Sequence, residues 1–226
     1  MAAVQDDPRD FPTRVNDTKA RLWFGLTAFA VLTGITIQVF VSANATGGFF
    51  RTAAGRVFNV FCYFTIQSNL IVGVTSLLLA MNPNRSSTVF KVFRLIGLVA
   101  ITITGIVFHA VLRQLLDLES WAVVADNALH TVVPILGVLG WLMFGPRGLT
   151  SPYIMRLSVL FPVAWLTFTL IRGLIVDFYP YPFVDVIHFG YIRVFINCVW
   201  VALLYLAVAA GATTLDRWLS RGKSAV

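Results

Sequence analysis

The feature that most constrains the fold is a series of six long apolar runs. Each holds about 20 mainly apolar residues, the length that a helix needs to cross a bilayer. Hydrophobic residues make up 58% of the 226 positions, which favours helices over barrel strands, where apolar and polar residues alternate. The sequence therefore predicts an all-α polytopic membrane bundle of six transmembrane helices, covering residues 22–41, 57–81, 92–112, 124–144, 155–176 and 191–213.

The connections between these runs are too short to hold a second domain. We expect a single six-helix transmembrane domain over residues 21–214. Residues 1–20 are expected to form a mobile N-terminal tail and residues 215–226 a C-terminal tail, both cytoplasmic. The N-terminal segment carries charges and no small-residue cleavage pattern, so it does not resemble a signal peptide.

The positive charge is unevenly distributed along the chain, whose formal net charge is +7. Of the 17 Lys and Arg residues, 12 fall in the two tails, in the second and fourth connections or at the adjoining helix ends, and five fall on the other side. This bias predicts a multi-pass protein of the cell membrane with both termini in the cytoplasm. Anionic lipid headgroups are the partners expected for the basic residues, and no nucleic acid is predicted.

Two polar islands interrupt the apolar runs, at residues 65–69 and 126–130. Polar groups are costly inside a membrane and therefore suggest function. With the predicted orientation and a rise of about 1.5 Å per residue, Thr65 lies roughly 12 Å and His130 roughly 9 Å below the outer surface. These depths allow the two side chains to meet. Pro134 lacks the N–H that would bond the carbonyl of His130, which predicts a local kink there.

These islands contain the groups that nucleophilic catalysis requires. A threonine hydroxyl becomes a nucleophile when a base takes its proton, and a neutral imidazole is the usual base. We therefore predict Thr65 as nucleophile and His130 as base. Asp126 lies four residues before His130, on the same helical face, where its carboxylate can orient the ring. Asn69, one turn after Thr65, is a candidate donor to a developing oxyanion.

Simpler explanations exist for the same residues. Thr65 can bond its own helix backbone, and Asp126 with Asn127 can cap the fourth helix. Residues 67–69 can hold neighbouring helices together through hydrogen bonds.

An aromatic loop follows the fifth span, at residues 178–183. Aromatic side chains at a helix exit suit the headgroup region, and its two prolines stop the helix. The loop is predicted either to anchor the chain at the interface or to form a lid over a pocket that lipid can reach.

Three segments carry a resemblance to a known family: Tyr-Phe-Thr-Ile at 63–66, Asn-Ala-Leu-His-Thr-Val-Val-Pro at 127–134, and Arg172 through Tyr-Pro-Tyr-Pro at 179–182. They resemble the androgen-induced and androgen-dependent TFPI-regulating membrane proteins, and the chain resembles still more closely their bacterial relatives, the Pr6Pr family. By this resemblance the animal members are threonine hydrolases that cleave fatty acid esters of hydroxy fatty acids. Their nucleophilic threonine and catalytic histidine match Thr65 and His130. Residues 67–69 are more polar here, so the pocket and the substrate are expected to differ.

The leading prediction is an integral membrane hydrolase of a lipid-like ester that uses an intramembrane threonine and needs neither cofactor nor metal. Thr65 and His130 are its predicted catalytic residues. Its predicted supporting residues are Asp126, Asn127, Asn69, Gln67 and Arg172.

Three alternatives remain open from the sequence. His109 and His130, on successive spans, are able to ligate a haem if they face each other. His109, His130 and His188 with Asp185 are a possible zinc set that activates water. The third alternative is a small transporter or a non-catalytic bundle in which the polar islands serve packing.

Overall fold

The computed structural model describes residues 17–221, and this part of the chain is helical without strands. Six helical segments are long and apolar enough to cross a membrane, as in a multi-pass membrane protein. The predicted all-α bundle is therefore confirmed. The six segments are Thr18–Asn44, Phe64–Met81, Thr88–Leu115, Trp121–Phe144, Pro152–Val176 and Val186–Arg221.

Nine α-helices build the described part of the chain: α1 (Asp17–Asn44), α2 (Ala53–Val60), α3 (Phe64–Met81), α4 (Thr88–Val107), α5 (Trp121–Asn127), α6 (Val133–Phe144), α7 (Pro152–Ser158), α8 (Leu160–Val176) and α9 (Val186–Arg221). Two π-helical turns interrupt the α-helical pattern. Phe108–Leu112 follows α4, and Ala128–Val132 joins α5 to α6.

Helix α1 begins and α9 ends at the same end of the bundle, which we call the terminal end; the opposite end is the far end. Both helices extend into the ranges predicted for the tails, because α1 begins at Asp17 and α9 continues to Arg221. The rest of those predicted tails, residues 1–16 and 222–226, lies outside the described residues. Which end faces the cytoplasm stays a prediction from the charge bias.

Helix α4 lies at the centre and packs against α3, α6, α7 and α9. Every residue from 94 to 101 of this helix is buried. Residues 95–101 are apolar on all faces, which suits a helix that neighbours cover on every side, and Arg94 is the exception.

The predicted second span is wrong at its start, because the chain from 57 to 81 is not one helix. Helix α2 ends at Val60 and α3 begins only at Phe64. Between them, the N–H of Cys62 bonds the carbonyl of Asn59 in a tight turn. Long-range contacts stabilise this break: the indole Nε1 of Trp165 donates to the Cys62 carbonyl over 3.0 Å. Residues 57–63 contain no Gly or Pro, so the local sequence does not indicate the break.

Small residues let the helices of the first half approach closely. A Cβ added at Gly140 of α6 would lie 2.6 Å from the Nε1 of Trp23 in α1. That indole donates to the Leu136 carbonyl over 3.0 Å. Close packing and an interhelical hydrogen bond are the interactions that hold membrane helices together.

We expect Gly140→Ala to lower the thermal stability of the detergent-purified protein. The added methyl displaces Trp23 and breaks its hydrogen bond, and overpacking of this kind lowers Tm by about 5 °C. Gly25→Ala is the matched control, because a Cβ there meets nothing within 4 Å. Equal Tm changes in the two variants would show that the Trp23 contact contributes nothing.

Candidate active site

The two polar islands meet at the far end of the bundle. Thr65 is the second residue of α3, and His130 lies in the π-helical turn between α5 and α6. The Thr65 Oγ1 is 3.2 Å from the His130 Nε2. Thr65 is buried, at 6% exposure. The structure therefore brings together the two side chains that the sequence analysis selected.

Asp126 extends this contact into a series of three side chains. Its Oδ1 lies 2.8 Å from the Nδ1 of His130. Assigning the Nδ1 proton to this carboxylate leaves the Nε2 lone pair facing the Thr65 hydroxyl. Helix α5 begins at Trp121, so Asp126 and Asn127 do not cap its start. The predicted orienting position of Asp126 is the one that the structure adopts.

The imidazole of His130 is also held through its face. The ring of Phe108 stacks on it with centroids 4.0 Å apart and an interplanar angle of 12°. Phe108 begins the other π-helical turn, so both stacked residues come from segments where the α-helical pattern is interrupted. Such turns occur often at functional sites because they re-aim side chains. Together with Asp126 and Thr65, Phe108 fixes the ring in one orientation.

Tyr181 belongs to the site and was not singled out from the sequence. Its hydroxyl accepts a hydrogen bond from the Thr65 backbone N–H over 3.1 Å and lies 3.1 Å from the Thr65 Oγ1. Burial raises the pKa of Tyr181, so the hydroxyl keeps its proton. Since the Tyr181 oxygen accepts the N–H, its own proton is free to point at the Thr65 Oγ1. The Thr65 proton is then directed at His130.

The aromatic loop explains how Tyr181 reaches Thr65. The sequence predicts this loop as an anchor or a lid and distinguishes none of its residues. Tyr181 is buried, and its ring packs edge-to-face on Tyr63 at 5.5 Å and is stacked with Phe183 at 5.3 Å. The prolines on either side of Tyr181 were the available signal, but they do not reveal a contact 116 positions away.

Asn69 does not have the role predicted for it. Its Nδ2 donates to the carbonyl of Thr65 over 2.8 Å and to the carbonyl of Leu129 over 3.1 Å. Both amide hydrogens are thus used, and none is left for an oxyanion. Asn69 instead joins α3 to the π-helical turn that carries His130, so it positions the two segments relative to each other.

Gln67 and Asn127 lie beside the site without joining the series of hydrogen bonds. The Nε2 of Gln67 donates to the Phe61 carbonyl over 3.1 Å, which bridges the break between α2 and α3. Asn127 is exposed at the end of α5. Gln67 therefore supports the backbone that precedes Thr65.

Arg172 also lies apart from the Thr65–His130 contact. It donates to the Oδ1 of Asn59 over 2.9 Å, and its guanidinium lies over the rings of Phe50, at 5.3 Å, and Phe178, at 5.8 Å. Cation–π contacts of this kind stabilise a folded loop. Arg172 therefore fastens the far-end loops to α2.

A cavity of about 180 Å³ borders Thr65 and Tyr181. Its wall is mostly apolar and is formed by side chains of α4, α8 and α9 together with the start of α3 and the aromatic loop. Three of its lining residues, Val163, Ala202 and Leu206, are exposed on the outer surface of α8 and α9. The cavity therefore opens sideways, toward the surface that lipid chains contact in a membrane.

The residues proposed for haem or zinc do not form a common ligand set. The Nε2 of His109 is 3.1 Å from the Thr131 hydroxyl, and both ring nitrogens of His130 have the partners given above. His188 pairs with Asp185 at 2.6 Å on the surface. Within residues 17–221, no three His, Cys, Asp or Glu side chains come together in a way that suits a metal.

No protein-family model, curated protein or solved structure matches this chain. The resemblance to the Pr6Pr family stays a prediction.

Proposed function

We propose that this protein is an intramembrane threonine hydrolase that cleaves lipid-like esters. The observation that carries the proposal is the series Asp126–His130–Thr65, with spacings of 2.8 and 3.2 Å, whose nucleophile borders an apolar cavity. A nucleophile, a base within hydrogen-bond reach and a third group that orients the base are the parts that covalent ester hydrolysis requires.

In the first half of the reaction, the Thr65 Oγ1 attacks the carbonyl carbon of the ester while the Nε2 of His130 takes the hydroxyl proton. Asp126 stabilises the imidazolium that forms. The C–O bond to the alcohol then breaks, and His130 gives its proton to the departing oxygen. An acyl group remains on Thr65.

In the second half, water attacks the acyl carbonyl and His130 takes a proton from it. The bond to the Thr65 Oγ1 breaks, the same proton returns to that oxygen, and the fatty acid leaves. Thr65 lies in the first turn of α3, where the positive end of the helix dipole favours the negative charge of the tetrahedral intermediates. The Tyr181 hydroxyl, whose proton points at the Thr65 Oγ1, donates to that oxygen as it leaves the acyl carbon.

The cavity supports an acyl chain as the part of the substrate that is recognised. Its wall offers dispersion contacts to methylene groups and few hydrogen bonds. Its sideways opening between α8 and α9 suits a substrate that arrives from the bilayer. Fatty acid esters of hydroxy fatty acids, which the family resemblance implies, have this chemistry.

Thr65→Ala and His130→Ala are expected to abolish labelling of the purified protein by a fluorophosphonate probe, because the first removes the nucleophile and the second its base. Hydrolysis of a long-chain p-nitrophenyl ester should fall on the order of 10²-fold or more in each variant. Thr65→Ser should still be labelled. Thr75→Ala is the matched control, since Thr75 is buried in the same helix and bonds only that helix's carbonyls. Undiminished labelling of both alanine variants, with the fold intact, would contradict the proposal.

Asp126→Asn should lower kcat on the order of 10²-fold or more with little change in KM, because Asp126 orients His130 and does not line the cavity. Steady-state kinetics with the same ester measure kcat and KM separately. A change confined to KM would contradict the assigned role.

Tyr181→Phe should lower kcat about tenfold, because the variant loses one hydrogen bond to the reacting oxygen and a bond of that strength corresponds to about a tenfold change in rate. Tyr179→Phe serves as its control: Tyr179 is buried in the same loop, two positions away. Equal losses in the two variants would mean that Tyr181 only packs the loop.

Ala202→Phe should restrict the cavity and lower kcat/KM for long-chain esters several-fold more than for the acetate ester. Ala207→Phe places the same side chain at an exposed position of α9 outside the cavity and should leave the chain-length profile unchanged. Profiles that coincide for the two variants would exclude this cavity as the acyl site.

A further inference from the structure

Two arginines at the terminal end, the buried Arg94 and the half-buried Arg147, have guanidinium nitrogens without hydrogen-bond partners among the described residues. Arg94, in α4, is 5% exposed, and within residues 17–221 neither its Nε nor its Nη2 has a hydrogen-bond partner. Arg147 follows α6; its Nη2 donates to the Leu142 carbonyl, but its buried Nη1 has no partner in the described part of the chain. Three buried N–H-bearing nitrogens are thus left unsatisfied in one region of the protein.

Each of the two guanidinium groups lies over an aromatic ring at the terminal end. Arg94 lies over the ring of Phe24 at 5.2 Å, and Arg147 lies over the ring of Trp141 at 5.0 Å. The ring of Phe144, three residues before Arg147, packs on Phe24 at 6.2 Å. The two positive charges are close enough to repel each other.

The buried carboxylate of Asp216 attracts Arg147, but the hydrogen bonds it accepts come from the loop between α6 and α7. Asp216 is 1% exposed, and its oxygens accept hydrogen bonds from the N–H of Gly148, the N–H of Thr150 and the Thr150 hydroxyl. It therefore serves as the anchor of the loop between α6 and α7. Among the described residues of this region, the buried Arg94 and the half-buried Arg147 carry two positive charges against the one negative charge of Asp216.

An uncompensated buried guanidinium is strongly unfavourable, and inside a membrane protein such groups normally have a counter-charge. The aromatic faces offer partial compensation but do not supply hydrogen-bond acceptors for these three nitrogens. A phosphate group has several acceptor oxygens and matches the planar fork of arginine. Arg94 lies about two turns from the start of α4, roughly 9 Å along the helix, which is a depth that a lipid phosphate reaches with modest local adjustment.

We propose that Arg94 and Arg147 together bind a phosphate group at the terminal end of the bundle, opposite the Thr65 site. The charge bias predicts that this end faces the cytoplasmic leaflet, where anionic headgroups are concentrated. The headgroup of an anionic phospholipid is therefore the source that the arrangement favours, and free inorganic phosphate shares its chemistry. The inference does not depend on the proposed hydrolase activity.

Thermal unfolding of the full chain in a maltoside detergent tests the proposal. Wild-type protein is compared after addition of phosphatidylglycerol, of inorganic phosphate, or of sodium chloride at the same ionic strength. We expect Tm to rise by about 5 °C at saturating phosphate ligand and to stay unchanged with chloride. A rise with phosphatidylglycerol alone assigns the site to a headgroup, and a rise with inorganic phosphate as well assigns it to phosphate from either source.

Arg94→Met and Arg147→Met should each remove this response. Without ligand, Arg94→Met should be at least as stable as wild type, because it replaces an uncompensated buried charge by an apolar side chain. Arg156→Met is the matched control: Arg156 is exposed on α7 at the same end, and the variant should keep the full response. A wild type that responds to neither ligand, or arginine variants that respond as the wild type does, would overturn the proposal.

Discussion

The break between α2 and α3 imposes the constraint on which the far end of the molecule depends. A bilayer offers no water to backbone groups that a helix releases, so each needs a partner within the protein. The Cys62 carbonyl accepts a hydrogen bond from the indole N–H of Trp165, and the Thr65 N–H donates to the Tyr181 hydroxyl oxygen. Both partners come from α8 and the loop after it. That loop must therefore fold over the start of α3, and the contact that satisfies the backbone also places a phenol on the Thr65 hydroxyl.

The hydrogen bonds around Thr65 have a consistent direction because of this arrangement. Its backbone N–H occupies the acceptor of Tyr181, and its carbonyl accepts from both Ser68 and Asn69. Thr65 is thus held from both sides of its main chain, and only its side chain points toward His130. Polar groups fixed before a substrate arrives need no rearrangement during reaction, which is the condition for electrostatic stabilisation of a transition state.

Several of these features were predictable from the sequence for identifiable reasons. Apolar runs of about 20 residues give the spans, because bilayer thickness is nearly constant. The spacing of four residues gives the Asp126–His130 pair, since helix geometry repeats on that scale. Helix rise gives the similar depth of Thr65 and His130.

Other features depend on the path of the chain and were not predictable. The break before Phe64 contains neither Gly nor Pro, and its stability comes from Trp165, about a hundred positions away. Asn69 was predicted to donate to an oxyanion because its spacing from Thr65 places it at the right height along the helix. Spacing does not show which neighbour the amide faces. Arg94 and Arg147 looked like ordinary positive-inside residues, and their burial emerges only when α1, α4 and α6 are assembled.

The sideways opening of the cavity between α8 and α9 has a consequence for how any lipid-derived substrate would be presented. A molecule that enters there diffuses in two dimensions and never passes through water. Its effective concentration is its mole fraction in one leaflet, and every other lipid in that leaflet competes for the same opening. The composition of the membrane, rather than the amount of substrate in the cell, would then set the occupancy of the cavity.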